Sequence, residues 1–163
     1  MHIFADGGCS GNPGPGGWAY VIVEPDSSGT IIKEAWGAEK HTTNNRMELL
    51  AVINALEALS TLEPVREQVS CTQSHPETTP VTIEVFTDSQ YVQKGMSQWI
   101  KDWKARGWKT AAKAPVKNQD LWQRLDTLAA GFTIIWHWVK GHAGNVYNER
   151  CDSLTQKAIG SLL

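Results

Sequence analysis

Cysteine is scarce in this chain of 163 residues, and the three present, Cys9, Cys71 and Cys151, are widely separated. An odd, scattered set excludes a disulfide framework as the basis of the fold. Cys71 and His75 stand four apart, but no second ligand pair at metal-binding spacing accompanies them. They read as part of a polar loop and not as a zinc site. Long apolar runs are absent too, which excludes a membrane-spanning helix. The opening residues, "MHIFADGG", go straight into strand-like sequence without signal-peptide architecture, so a cytoplasmic protein with no membrane association is expected. An overall excess of positive charge is also lacking, since the formal net charge is -2.

What is present fits one globular domain spanning 1–163: hydrophobic residues make up 41% of the chain and charged residues 20%. The charge is unevenly placed. From Lys94 to Lys117 there are seven Lys or Arg and one acid, Asp102, a local balance of +6 that leaves -8 for the remainder. A run of like charge is ordinarily a solvated face. Here Trp99, Trp103 and Trp108 are interleaved with it. Indole is costly to expose without purpose, and cations beside aromatic plates suit a phosphate backbone with its sugars or bases.

The periodicities predict an order βββαβαα, a basic segment, then αβα. "HIFADGG" reads as a short strand ending at Asp6, with only five residues before that position, so its start is expected to be trimmed. "GGCSGNPGPGG" reads as a loop. "WAYVIVE" and "TIIKEAWGAE", separated by "PDSSG", complete an antiparallel meander. A helix is predicted from Asn44 to about Leu59, where Leu49, Val52, Ile53, Leu56 and Leu59 recur at helical spacing. The polar stretch 61–80, broken by prolines, reads as a long connection. "VTIEVFT" is a strand stopping at Asp88, followed by a short helix from Ser89 and another around Met96 to Asp102. Further helices are predicted at about Gln119–Ala129 and Tyr147–Ile159, with the strand "FTIIWHWVK" between them. Such an order implies an α/β fold, a mixed sheet with helices packed on it.

Four acids stand in notable places. Asp6 and Asp88 each end an apolar strand, Asp152 lies in the first turns of the last helix, and Glu48 shares a helix face with Ala51, Val52, Ala55, Leu56 and Leu59. Each has a local explanation: a turn residue for Asp6, a capping interaction with Asn45 for Glu48, an N-cap for Asp88, a helix-dipole partner for Asp152. Together they suggest something else, because strand ends and helix starts meet at one sheet edge. Carboxylates that converge there raise one another's pKa unless cations neutralise them. Hard divalent ions such as Mg²⁺ do this, and a pair of them serves phosphodiester chemistry.

The segments "FADGGCSGNPGPGGWA", "TTNNRMELLAVINAL", "FTDSQYV", "WIKDWKARGWKT", "VKNQDLWQRL" and "WVKGHAGNVYNERCDSLTQKA" occur in an order that resembles bacterial-type ribonuclease HI. The resemblance covers nearly the whole chain apart from 61–80. It implies the ribonuclease H-like fold: a five-stranded mixed sheet, three antiparallel strands then two parallel, flanked by helices. It also implies a monomeric endonuclease that hydrolyses the RNA strand of an RNA–DNA hybrid, leaving 5′-phosphate and 3′-hydroxyl ends. The metal ligands of the resemblance fall on Asp6, Glu48, Asp88 and Asp152, holding two Mg²⁺ ions with Mn²⁺ able to substitute, and the loop histidine falls on His142. Substrate contacts implied in the same way are Cys9, Asn12, Asn44, Asn45 and Gln90 toward the RNA and minor groove, and Thr43 and Asn118 toward a DNA phosphate. Trp99 and Trp103 would stack on deoxyribose while Lys104, Arg106 and Lys109 lie near phosphates, and Trp122 is expected in the core.

Two rivals remain at this stage, a module that tethers hybrids without cutting them and a DNA-directed nuclease of the same superfamily. The first predicts loss of one or more acids, yet all four are present; the intact basic segment and paired asparagines speak against the second. The 61–80 connection is longer than the resemblance leads one to expect. Ala105 and Ala114 replace positions that are often basic, which predicts weaker hybrid affinity.

Overall fold

The computed structural model describes residues 1–24, 29–62, 81–141 and 144–163. Strands β1 (His2–Cys9), β2 (Gly14–Val23) and β3 (Ile31–Thr42) form the antiparallel meander, and β4 (Thr82–Thr87) and β5 (Thr133–Trp138) add in parallel to give the order β3-β2-β1-β4-β5. Helices α1 (Asn44–Thr61) and α4 (Gln119–Ala129) pack together on one side, where α1 lies against β1 and β2. Helix α5 (Val146–Gly160) lies against β1, β2 and β3. The larger core joins Ile3, Tyr20 and Ile22 to Leu49, Val52, Ile53, Leu56, Trp122 and Leu125; the smaller joins Phe4, Val21 and Val23 to Cys151 and Leu154. Alternate residues of β1 and β2 thus feed opposite cores, as the period of a strand requires. Trp122 is fully buried, as expected. Among the described residues no helix is long and apolar enough to cross a membrane.

Three boundaries differ from the sequence reading. β2 begins at Gly14 and not at Trp18, because Gly16 and Gly17 pair with β1 on one side and β3 on the other, so the expected loop keeps only positions 10–13 outside strands. β1 does not stop at Asp6, because Gly7, Gly8 and Cys9 pair with Trp18, Gly17 and Gly16. Glycine has little strand propensity of its own, so the ladder here comes from its neighbour and could not be read locally. The second helix of the pair after β4 also differs. A short α2 (Gln90–Lys94) runs into a π-helical turn, Gly95–Trp99, and then α3 (Ile100–Ala105). The Trp122 ring presses on this turn so closely that a Cβ at Gly95 would meet it at 2.0 Å.

The basic segment is folded and not merely solvated. Trp108 donates from its backbone to the Trp103 carbonyl and accepts from Val116, and Lys109 bridges Pro115. The compact path uses left-handed backbone at Trp108 (φ 64°), Lys113 (φ 64°) and Asn118 (φ 58°), conformations that side chains disfavour.

Candidate active site

The sheet brings two of the four acids together by register. Ala5 of β1 pairs with Thr87 of β4 in parallel, so Asp6 and Asp88 are each one residue past that pair at the carboxyl end. The strand order also reverses between β1 and β4, with β2 and β3 laid out on one side and β5 on the other, and ligands of α/β sheets gather at such switch points. Glu48 arrives from above. The first turn of α1 crosses Gly7 so tightly that a Cβ there would lie 2.4 Å from the Met47 carbonyl carbon and 2.5 Å from the Glu48 nitrogen. Only glycine permits this approach. Carboxylate oxygens of Asp6, Glu48 and Asp88 consequently lie within 4.8 Å of one another.

Burial and mutual repulsion mark these acids. Asp6 is buried and its pKa is pushed up to about 7, first by desolvation, then by the charges of Asp88 and Asp152; the Thr155 hydroxyl and the Gly7 N–H oppose the shift. Glu48 is raised well above the usual carboxylate range, chiefly by desolvation and then by Asp6 and Asp88. Its Oε2 is buried and has no hydrogen-bond partner among the described residues. A buried carboxylate with one oxygen left unpartnered, grouped with two further acids, fits a hard divalent cation, which offers the missing charge and takes oxygen ligands. Asp152, half-buried on α5, stands outside the close group, yet its charge is felt at Asp6.

The local explanations for the acids give way. Asp6 lies inside β1, paired with Ala19. The α1 cap is Thr43, whose hydroxyl accepts from the Arg46 N–H. The α2 cap is Ser89, which accepts from Val92. At α5 the cap is Asn145 and the first-turn acid is Glu149, with Asp152 a turn further on.

Beside the acids, the end of β1 is tied to the start of α1. The Cys9 N–H donates to the Asn44 side-chain oxygen at 2.8 Å, and the Asn44 N–H donates to that of Asn12 at 3.2 Å. Asn45 and Gln90 are exposed in the first turns of α1 and α2 respectively. An open cleft of about 360 Å³ is lined by Asn12, Thr43, Asn45, Lys117 and Asn118. Asn118 donates to the Tyr91 hydroxyl at 3.2 Å and accepts from Arg46 at 3.3 Å. The structure therefore adds Lys117, Arg46 and Tyr91 to the residues singled out earlier. Lys117 was visible as the last cation of the basic run; nothing local marked Arg46 or Tyr91.

Further along, Trp99 and Trp103 are half-buried, 5.9 Å apart between ring centres, and Trp103 meets Trp122 edge-on at 5.2 Å. They are thus partly core and partly surface. Lys104, Arg106 and Lys109 are exposed, and Lys104 forms an ion pair with Asp126 at 3.1 Å. His142 lies outside the described residues, as do Cys71, His75 and positions 63–80.

Residues 1–160 match the RNase H family. The ribonuclease H of Aromatoleum aromaticum is 54% identical over 162 residues, covering 99% of this chain and 92% of that protein. Among solved structures, LC9-RNase H1, a type 1 RNase H with the type 2 active-site motif, is 34% identical with a TM-score of 0.74, covering 99% of this chain and 72% of that one. LC11-RNase H1 in complex with an RNA/DNA hybrid is 23% identical with a TM-score of 0.66, covering 98% and 96%, a likeness of fold. The carboxylate group at the sheet's switch point thus sits in a chain that belongs to the RNase H family.

Proposed function

We propose that this protein is an endonuclease acting on RNA–DNA hybrids, hydrolysing the RNA strand with two Mg²⁺ ions and leaving 5′-phosphate and 3′-hydroxyl ends. The observation that carries the reading is the convergence of Asp6, Glu48 and Asp88, together with a buried Glu48 oxygen that has no hydrogen-bond partner among the described residues. These three, with Asp152 completing the set, would hold the metal, and Mn²⁺ is expected to replace Mg²⁺. Divalent ions bound there supply Lewis acidity toward a scissile phosphate. The chain's own residues orient the strands. Backbone at Cys9 and the side chains of Asn12, Asn44, Asn45 and Gln90 meet the RNA and the minor groove, where amides bond base edges and 2′-hydroxyls. In the adjoining cleft Thr43, Asn118 and Lys117 hold a phosphate of the DNA strand, and the α1 N-terminus favours that anion. Trp99 and Trp103 present ring surface to deoxyribose beside Lys104, Arg106 and Lys109. His142 assists proton transfer or product departure, a task suited to imidazole. The protein acts as a cytoplasmic monomer.

Labelled RNA–DNA hybrid, duplex RNA and duplex DNA are incubated with the protein, with and without Mg²⁺. Mg²⁺-dependent cutting of the hybrid's RNA strand alone is expected. Binding without cutting would make the chain a tether, and equal cutting of duplex DNA would make it a DNA-directed nuclease.

A further inference from the structure

Trp138 closes β5 with 45% of its surface exposed, so burial does not explain an indole there. Its polar atom is engaged: Nε1 donates to the backbone carbonyl of Asp88 at 3.0 Å. The same peptide is held on its other side, since the Ser89 N–H donates to the Thr87 hydroxyl at 3.0 Å. The peptide before Asp88 is held as well, by the Val139 N–H on the Thr87 carbonyl at 2.9 Å. Both planes flanking the Asp88 Cα are thus fixed, and two of the three bonds come from consecutive residues at the end of β5. Gly141 passes beside the carboxylate, since a Cβ there would stand 3.0 Å from Asp88 Oδ2.

We propose that Trp138 is a positioning residue for Asp88: its indole N–H fixes the peptide after Asp88 and so sets the direction in which that carboxylate meets Asp6 and Glu48. Its effect on turnover rests on the nuclease reading; its effect on metal affinity does not. Supporting groups around a metal site typically change affinity or activity about 10–100-fold when removed.

The intact protein and its Trp138→Phe variant are titrated with Mn²⁺ by calorimetry, without nucleic acid, and hybrid cleavage is followed against Mg²⁺ concentration. Trp138→Phe is expected to bind Mn²⁺ about 10-fold more weakly. It should lower kcat at limiting Mg²⁺, recover at excess Mg²⁺, and leave KM for hybrid unchanged. Trp138→His, whose Nε2 stands as many bonds from Cα as the indole nitrogen, should restore Mn²⁺ affinity. A purely structural indole would change the melting temperature but not the metal affinity of folded protein. Parental Mn²⁺ affinity in Trp138→Phe overturns the proposal. If Trp138→Phe fails to fold, weak Mn²⁺ binding by folded Trp138→His overturns it as well. If the parent cuts no hybrid while the Mn²⁺ difference persists, the nuclease reading falls and the positioning role stands.

Discussion

Arg46 and Asp120, 74 residues apart in the chain, meet through two parallel hydrogen bonds of 3.1 and 3.0 Å that join the first turn of α1 to the first turn of α4. Arg46 also donates to Asn118, the residue that turns the basic segment into α4. Paired guanidinium and carboxylate groups of this geometry are directional as well as attractive. Arg46 is therefore engaged in fastening two helices, while Lys117 is the exposed cation of the adjoining cleft. Asp120→Asn should cost about 1 kcal/mol or less, since the pair is solvent-accessible. It should also tighten hybrid binding and steepen its salt dependence by about one ion, because Arg46 gains a free charge. Urea melts and binding across a salt series check both; an unchanged slope would mean Arg46 is not felt by the hybrid.

Asp6 carries a prediction of opposite sign for activity and stability. Asp6→Asn should abolish Mg²⁺-dependent cleavage. In metal-free buffer the same change should stabilise the protein at alkaline pH. The folded pKa, about 7, lies above the ordinary value of 3.8, so the folded state holds this proton more tightly than the unfolded state does. Stability from this group is thus present at low pH, falls as pH rises between those values, and is absent above them. Melting temperatures in EDTA at pH 5 and pH 8 give the measurement. The gain of the variant over the parent should be larger at pH 8, and saturating Mg²⁺ should remove it. A gain that is equal at both pH values would contradict the strained carboxylate.

Gly7→Ala tests the contact that brings Glu48 to the sheet. The added methyl would sit 2.4 Å from backbone of Met47, and neither partner is a flexible side-chain end. Overpacking of this kind costs about 1–3 kcal/mol and sometimes more. A lowered urea midpoint is expected, together with weaker Mn²⁺ binding, because relief of the clash must move α1 and with it Glu48. Gly8→Ala is the control, since a Cβ there meets nothing within 4 Å among the described residues. Equal behaviour of the two variants would remove the close approach from the account of the site.

Legibility in the sequence followed the range of the interactions concerned. α1, β4 and β5 are fixed by their own periodic apolar residues, and their spans were readable within a few positions. Gly7 to Cys9 are strand only because β2 lies alongside, and the π-helical turn at Gly95 answers to a ring from α4. Neither cause is local. Among the acids, Asp6 and Asp88 were marked by ending apolar strands and Glu48 by its apolar face, and the fold joins these three. Asp152 could be placed on a helix but not at a distance, and it stands outside the close group. Arg46 was hidden because its meaning depends on Asp120 and Asn118, far along the chain.

The three cations assigned to the DNA strand should not contribute alike. Lys104 faces Asp126 on α4 at 3.1 Å, whereas Arg106 and Lys109 have no ion pair among the described residues. A paired lysine has its field partly cancelled, and bringing a phosphate to it displaces a carboxylate as well as releasing counterions. Arg106→Ala and Lys109→Ala should therefore each lower the salt slope of hybrid binding by about 0.7–0.9, the release expected for one phosphate contact. Lys104→Ala should lower it by clearly less. Asp126→Asn should raise affinity in the parent but not in the Lys104→Ala background, since the acid acts through that lysine. Binding isotherms over a range of KCl concentrations separate these cases. Equal slopes for the three single variants would mean that the Lys104–Asp126 pair opens at no cost when hybrid binds, and that this ion pair does not tune the basic segment.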